Sequence, residues 1–273
     1  MKFAAKKTML GMALVLAGSA FAQTAAPTPD YTLSYNVGVV TDYRVRGISQ
    51  TSFKPALQAG IDFAHKSGFY LGTFVSNVDW VKQFNGATKG NYELDLYGGF
   101  KGAITKDVGF DVGVITYRYP GNNSGVANPG KYQKNFGTGG LPANNYTNAN
   151  TTEVYGALSY SVFNFKYSRS AGDFLGNKNS SGSQYFDVNA NFDLGDGYTL
   201  TPHIGRQRVP NQTPSADYTD YSLTLAKDLG NGLVVSAAAI GTNTKKGAAE
   251  FYSDSNNKDL GKSTLVVGLK YNF

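Results

Sequence analysis

The sequence predicts an all-β, transmembrane, antiparallel up-and-down barrel of about twelve strands. Three observations predict it: an export leader at the N-terminus, period-two hydrophobicity recurring along the whole chain, and connections that alternate between short and long. Each is taken below in chain order.

Lys2, Lys6 and Lys7 form a basic start, Met9–Ala17 an apolar stretch, and Ala20-Phe21-Ala22 a small-x-small cleavage pattern. The apolar stretch is too short to cross a bilayer as a helix. Residues 1–22 therefore read as a cleaved signal peptide, and 23–273 as a single barrel domain. The full chain carries 25 Lys+Arg against 19 Asp+Glu; without the three leader lysines the balance is 22 to 19, or +3. No basic tract follows the leader, so no nucleic-acid partner is expected. Cysteine is absent, which excludes disulfides and thiolate metal sites. The 33 glycines, 19 tyrosines and 17 phenylalanines favour sheet and turns. Beyond the leader no apolar run approaches the ~18 residues of a spanning helix, so any span must be built from strands.

Tyr31–Val45 sets the pattern. Its odd positions are mostly apolar or aromatic, and its even positions are mostly polar or small. Similar alternation follows at 57–63, 92–100, 110–114, 153–159, 163–168, 186–192, 200–207, 221–227, 233–241 and 264–273, with a mixed segment at Phe69–Val78. Short links (65–68, 102–108, 160–161, 193–197, 228–232) alternate with long Gly/Asn/Ser-rich ones (46–54, 79–91, 120–151, 170–182, 209–218, 242–262). A barrel with periplasmic turns, extracellular loops and both termini in the periplasm produces that order. Half of each strand then faces a polar interior, which reconciles a membrane span with a mean hydropathy of −0.29. Tyr31, Tyr43, Tyr119, Tyr198 and Tyr271 are candidates for interfacial girdles. At the C-terminus Leu265, Val267, Leu269, Tyr271 and Phe273 alternate with smaller or polar residues. This resembles the signal that the barrel assembly machinery reads, which makes that machinery an expected partner during biogenesis.

The motif DYRVRGISQT (42–51), within NVGVVTDYRVRGISQTSFKP, resembles the TorF-family porins. ELDLYGGFKG (93–102), FDVGVITYRYPG (110–121), EVYGALSY (153–160) and DYTDYSLTLAKDLGNGLVVSAA (217–238) match the same family. The resemblance implies an outer-membrane barrel with a transport role and supplies no catalytic or binding residues.

Enzymatic chemistry finds little support. The two histidines, His65 and His203, have no metal-ligand spacing, and His203 has no GxSxG elbow. No catalytic residue, metal or cofactor is expected. What remains is the pore wall. Strand parity turns Asp42, Arg44, Asp62, Glu93, Asp95, Asp111, Glu153, Lys166, Asp187, His203 and Lys270 inward, with Arg46 near the mouth. Acids outnumber bases in this set, which predicts a cation preference. An alternative has Arg44 and Arg46 pairing with Asp62, Glu93 and Asp95 to stiffen the lumen. Two functions follow: passive diffusion of small hydrophilic solutes or ions through the outer membrane, or a non-conducting barrel with a structural or surface-interaction role. The long link at 120–151 is a candidate to fold inward and narrow the mouth.

Overall fold

The computed structural model describes residues 29–83, 85, 87–125, 146–212, 216–246, 250–254 and 258–273. The leader at 1–22 and residues 126–145 of the 120–151 link lie outside the described residues.

The chain forms β1 (Tyr31–Val40), β2 (Arg44–Val45), β3 (Ile48–Ser49), β4 (Ala56–His65), β5 (Phe69–Asn77), a one-turn helix α1 (Trp80–Gln83), β6 (Tyr92–Ala103), β7 (Val108–Arg118), β8 (Thr151–Tyr160), β9 (Phe163–Ser170), β10 (Gln184–Ala190), β11 (Phe192–Gly195), β12 (Tyr198–Arg208), β13 (Tyr218–Asp228), β14 (Leu233–Thr242) and β15 (Thr264–Asn272). Every wall strand pairs antiparallel with its sequence neighbour. β10 and β11 are two halves of one wall strand, broken at Asn191, and both pair with β12. β2 and β3 form a separate hairpin, so the wall has twelve strands. Closure comes from β1 against β15, with Val37 opposite Tyr271 and the Phe273 amide donating to the Tyr35 carbonyl at 2.9 Å. All six long links emerge at one end of the barrel and all five short turns at the other.

The predicted parity is realised. On β1, β4 and β15 the odd residues face out; Leu57 is 66 % and Leu265 65 % exposed. The even residues face in. Outside, an apolar band covers each strand, as hydrocarbon requires. Aromatic side chains gather near the turn end of this exterior: Tyr31 stacks on Phe63 at 5.6 Å, Phe100 lies 6.1 Å from Phe110, and Tyr271 meets Phe273 edge-on at 4.7 Å. Tyr198 is also exposed there.

Three expectations are corrected. Tyr43 and Tyr119 do not join a girdle; both donate inward to the Glu93 carboxylate. The first strand ends at Val40 rather than Val45, because the chain bends at Thr41–Asp42 and enters the barrel. The mixed segment Phe69–Val78 is a regular strand to Asn77. Its inner face carries aromatic Tyr70 and Phe74, which disguised the alternation.

The inner face is fitted by tyrosines lying over glycines of the next strand. A Cβ on Gly72 would fall 2.3 Å from the Tyr97 ring, and one on Gly205 would fall 2.0 Å from the Tyr185 hydroxyl. Glycine at these positions is what lets the rings lie flat against the wall.

Outward Leu223 and inward Thr224 are neighbours on β13, which gives a matched test of the two faces. Leu223→Arg is expected to destabilise the vesicle-inserted protein by about 2–4 kcal/mol. Thr224→Arg should cost clearly less, since its guanidinium reaches the aqueous interior. Urea titration in lipid vesicles reads both.

Candidate functional site: a hairpin inside the barrel

The interior is organised by the DYRVRGISQT segment. Arg44 pairs with Ser49 and Val45 with Ile48 in the β2–β3 hairpin, leaving Arg46-Gly47 as a two-residue tip. Both tip residues have positive φ, 48° and 77°. Such conformations define the tight primed turns that suit a hairpin. Glycine follows naturally at position 47: a Cβ there would fall 2.6 Å from Thr242 Cγ2 and 2.8 Å from Asp220 Cβ on the wall.

Asp42 holds the base of the hairpin. Its carboxylate accepts from Arg44 Nε at 2.6 Å, Ser49 Oγ at 2.6 Å and Thr51 Oγ1 at 3.2 Å. Arg44 Nη1 also donates to the Gly47 and Leu260 carbonyls, at 2.7 and 3.0 Å, and its guanidinium lies 4.9 Å from the Phe53 ring centroid. The tip then crosses the barrel. Arg46 Nη2 reaches Glu153 Oε2 at 2.6 Å on β8, five strands around the ring from β1, and Nη1 reaches Gln207 Oε1 at 2.7 Å on β12. Its guanidinium sits 4.3 Å over the Tyr185 ring, and Tyr218 donates to its carbonyl at 2.9 Å. Burial is the largest single influence and would lower the Arg46 pKa, but the Glu153 charge and hydrogen bond, with Tyr117 and Tyr185, together outweigh it and the net shift is upward. The guanidinium therefore stays charged.

Above the hairpin the long links close over the barrel mouth. One apolar cluster draws on all six of them: Ile48, Trp80, Tyr119, Phe174, Val209 and Phe251 stand for each in turn. Trp80 meets Tyr119 edge-on at 5.0 Å, and the amides of Asp79 and Trp80 donate to the Gln50 carbonyl. Tyr119, just before the 120–151 link, and Tyr146 and Ala149 in its described C-terminal end are buried in this roof. Among the described residues, it is the first link that enters the lumen.

Below the hairpin lies a polar cavity of about 310 Å³, bordered by Arg44, Arg46, Lys166, Asp187, His203 and Asp220 among others. His203 Nε2 lies 3.2 Å from Asp187 and its Nδ1 3.5 Å from Asp220. Tyr185 donates to Asp220 at 3.0 Å. Lys166 places its ammonium 3.9 Å from the Tyr155 ring centroid. Towards the turn end, Tyr97 donates to Asp62 at 2.5 Å and Tyr70 to Asp111 at 2.6 Å, and Tyr70 also meets Tyr155. Lys270 projects inward from β15.

The sequence-derived residues thus separate into two groups. Asp42, Arg44, Arg46, Glu93, Asp95 and Glu153 are buried in or around the hairpin, while Asp62, Asp111, Lys166, Asp187, His203 and Lys270 lie below it. The expected pairing of Arg44 and Arg46 with Asp62, Glu93 and Asp95 does not occur. Asp42 lies two residues from Arg44 and captures it, and the tip extends past β6 to reach β8. Glu93 is held instead by Tyr43 and Tyr119, at 2.5 and 2.6 Å. Burial first, and the Glu93 charge second, raises both phenols well above their ordinary range, so they remain donors. Asp220, Tyr185 and Gln207 were missed. β13 starts at Tyr218, and extending the even-numbered face of 222–226 back by one step exposes Asp220 as an inward residue.

A family model described as "Bacterial protein of unknown function (Gcw_chp)" matches residues 24–273. The chain belongs to the Gcw_chp family. No curated protein sequence matches it. Among solved structures, the KdgM porin in complex with disordered oligogalacturonate is similar in fold at 8 % identity, with 88 % of this chain and 98 % of that chain covered and a TM-score of 0.51. The NanC porin is similar at 9 % identity, with 89 % and 99 % covered and a TM-score of 0.50. These likenesses establish a porin-like barrel fold for this Gcw_chp chain.

Arg46→Ala leaves the Glu153 carboxylate buried without its cation. The expected loss is about 3–5 kcal/mol, less wherever lumen water reaches the carboxylate. Arg46→Ala/Glu153→Ala should recover part of it, giving a favourable coupling energy above about 1 kcal/mol in a double-mutant cycle. Unfolding of all four proteins in vesicles measures the coupling.

Proposed function

We propose that this protein is an outer-membrane, porin-like channel through which small hydrophilic solutes or ions diffuse passively, with the Arg46 hairpin as its constriction. The polar cavity beneath the hairpin, inside a closed barrel with an apolar exterior, carries this reading. The likeness of DYRVRGISQT to the TorF-family porins supports it, since that motif is the hairpin itself. The leader supports export through the inner membrane. The alternating C-terminal residues Leu265, Val267, Leu269 and Tyr271 face outward on β15 and exposed Phe273 follows it, where the assembly machinery would meet them before closure.

The inward residues selected from the sequence would act as the pore wall. Arg44 neutralises Asp42, Arg46 neutralises Glu153, and Glu93 and Asp95 are buried near the mouth. Asp62, Asp111, Asp187 and Asp220 remain against Lys101, Lys166, Lys270 and His203. With His203 neutral, four carboxylates face three lysines, and that residual acidity favours cations only slightly. Both ring nitrogens of His203 face carboxylates, an arrangement that supports a passive wall residue over a serine–histidine pair.

A second reading has a specific observation behind it. The six links meet in one apolar roof, which suits a barrel that conducts nothing and presents its loops as a structural or interaction surface.

Planar-bilayer recording separates the two. Discrete steps with a small cation-biased reversal potential in a salt gradient are expected, and Lys166→Gln should increase that bias. Arg46→Ala should enlarge the unit conductance. A folded protein that stays silent, with Arg46→Ala silent as well, would replace the channel with the second reading.

A further inference from the structure

The barrel exterior carries a basic patch that the pore does not use. Arg169 ends the outward face of β9, and Arg206 and Arg208 end that of β12. β10 runs between them, and its Gln184 stands opposite Arg169 on one side and Arg208 on the other. With strands ~4.8 Å apart, the two arginine Cα atoms are about 10 Å apart, separated by one uncharged side chain. Arg206 lies on the same face, one outward step below Arg208.

The partners of these arginines are few. Arg206 donates to Thr219 Oγ1 at 3.3 Å and stands 3.8 Å from Asp217, both partly exposed. Among the described residues, Arg169 and Arg208 have no carboxylate partner, and both are exposed. The patch sits directly above lipid-facing side chains. Tyr167 packs on Phe186 at 5.0 Å, and Ile204 is 53 % exposed. Elsewhere on the same rim Arg118 ends the outward face of β7, while Leu57 on β4, Asn77 on β5, Tyr92 on β6, Gly241 on β14 and Leu265 on β15 are uncharged, so the run of three arginines on β9–β12 is the densest basic group at the described strand ends.

Arginines at the end of an apolar band reach up to the headgroup level while their stems stay in lipid. Planar guanidinium forks match phosphate oxygens in bidentate geometry, and such charge-assisted bonds are strong. The geometry points to a binding site for a phosphorylated glycolipid of the lipid A type, held by Arg169, Arg206 and Arg208 with its acyl chains along Phe186 and Ile204. This inference rests on the outer-membrane barrel reading above. The lipid, rather than a free anion, is the occupant because the cationic row and the apolar band are continuous.

The test uses the full barrel inserted into phosphatidylcholine vesicles containing diphosphoryl lipid A or its dephosphorylated form, with retained lipid counted by native mass spectrometry. Phosphorylated lipid should be retained roughly tenfold over the dephosphorylated form. Arg169→Gln/Arg206→Gln/Arg208→Gln should abolish the difference while heat-modifiable gel mobility stays that of the folded barrel. Arg208→Gln alone should reduce it, which covers the case of a triple variant that does not fold. Equal retention of both lipids by the native barrel, or an unchanged preference in the folded variants, overturns the site. Displacement of the lipid by an equimolar amount of inorganic phosphate would reduce it to a bare anion patch and overturns the lipid assignment. Failure to insert into any vesicle would remove the outer-membrane reading and this site with it; insertion without a phosphate preference removes only the site.

Discussion

The hydrogen bonds between β1 and β15 are the constraint on which the rest depends. A sheet surrounded by hydrocarbon cannot leave an edge strand's amides and carbonyls without partners. Closure removes that edge, and it also determines everything inside. Once the ring is complete, each strand has one face towards lipid and one towards a space too wide for the wall side chains to fill alone.

The hairpin addresses that space. Its tip inserts against Thr242 and Asp220 of the wall. A cation brought so far from bulk water needs a partner of opposite charge and good hydrogen-bond geometry. Arg46 has Glu153, Gln207 and the Tyr185 face. Several carboxylates in the wall are met by tyrosines as well. Asp62, Glu93, Asp111 and Asp220 each accept from a phenol, and that explains part of the high tyrosine content. Inner and outer surfaces thus use aromatic residues for different reasons: hydrogen-bond donation inside, interfacial packing outside.

The two proposed roles share this architecture without competing for residues. Passage depends on the inward hairpin and the cavity below it, lipid binding on the outward rim of β9–β12. Opposite parity keeps them apart: Arg169 faces out one residue from inward Ser168, and Arg206 one residue from inward Gln207.

The alternation of apolar and polar residues by itself determined the strands, their parity and the order of short and long links, because period-two spacing is a local property that survives into the fold. The aromatic C-terminus and the inward charges at Asp62, Lys166, Asp187 and Lys270 were legible for the same reason. What the tertiary structure decided are contacts between residues distant in sequence. Tyr31–Val45 alternates well enough to be one strand, yet it bends at Asp42, since the three hydrogen bonds that Asp42 accepts are available only if the chain turns inward. Arg44 and Arg46 carry no sign of which acid each will meet; barrel diameter and hairpin reach select Glu153, 107 residues away, over nearer carboxylates. The apolar roof is equally non-local: each link supplies one to a few hydrophobic residues, too few to show as a pattern until closure brings the six together.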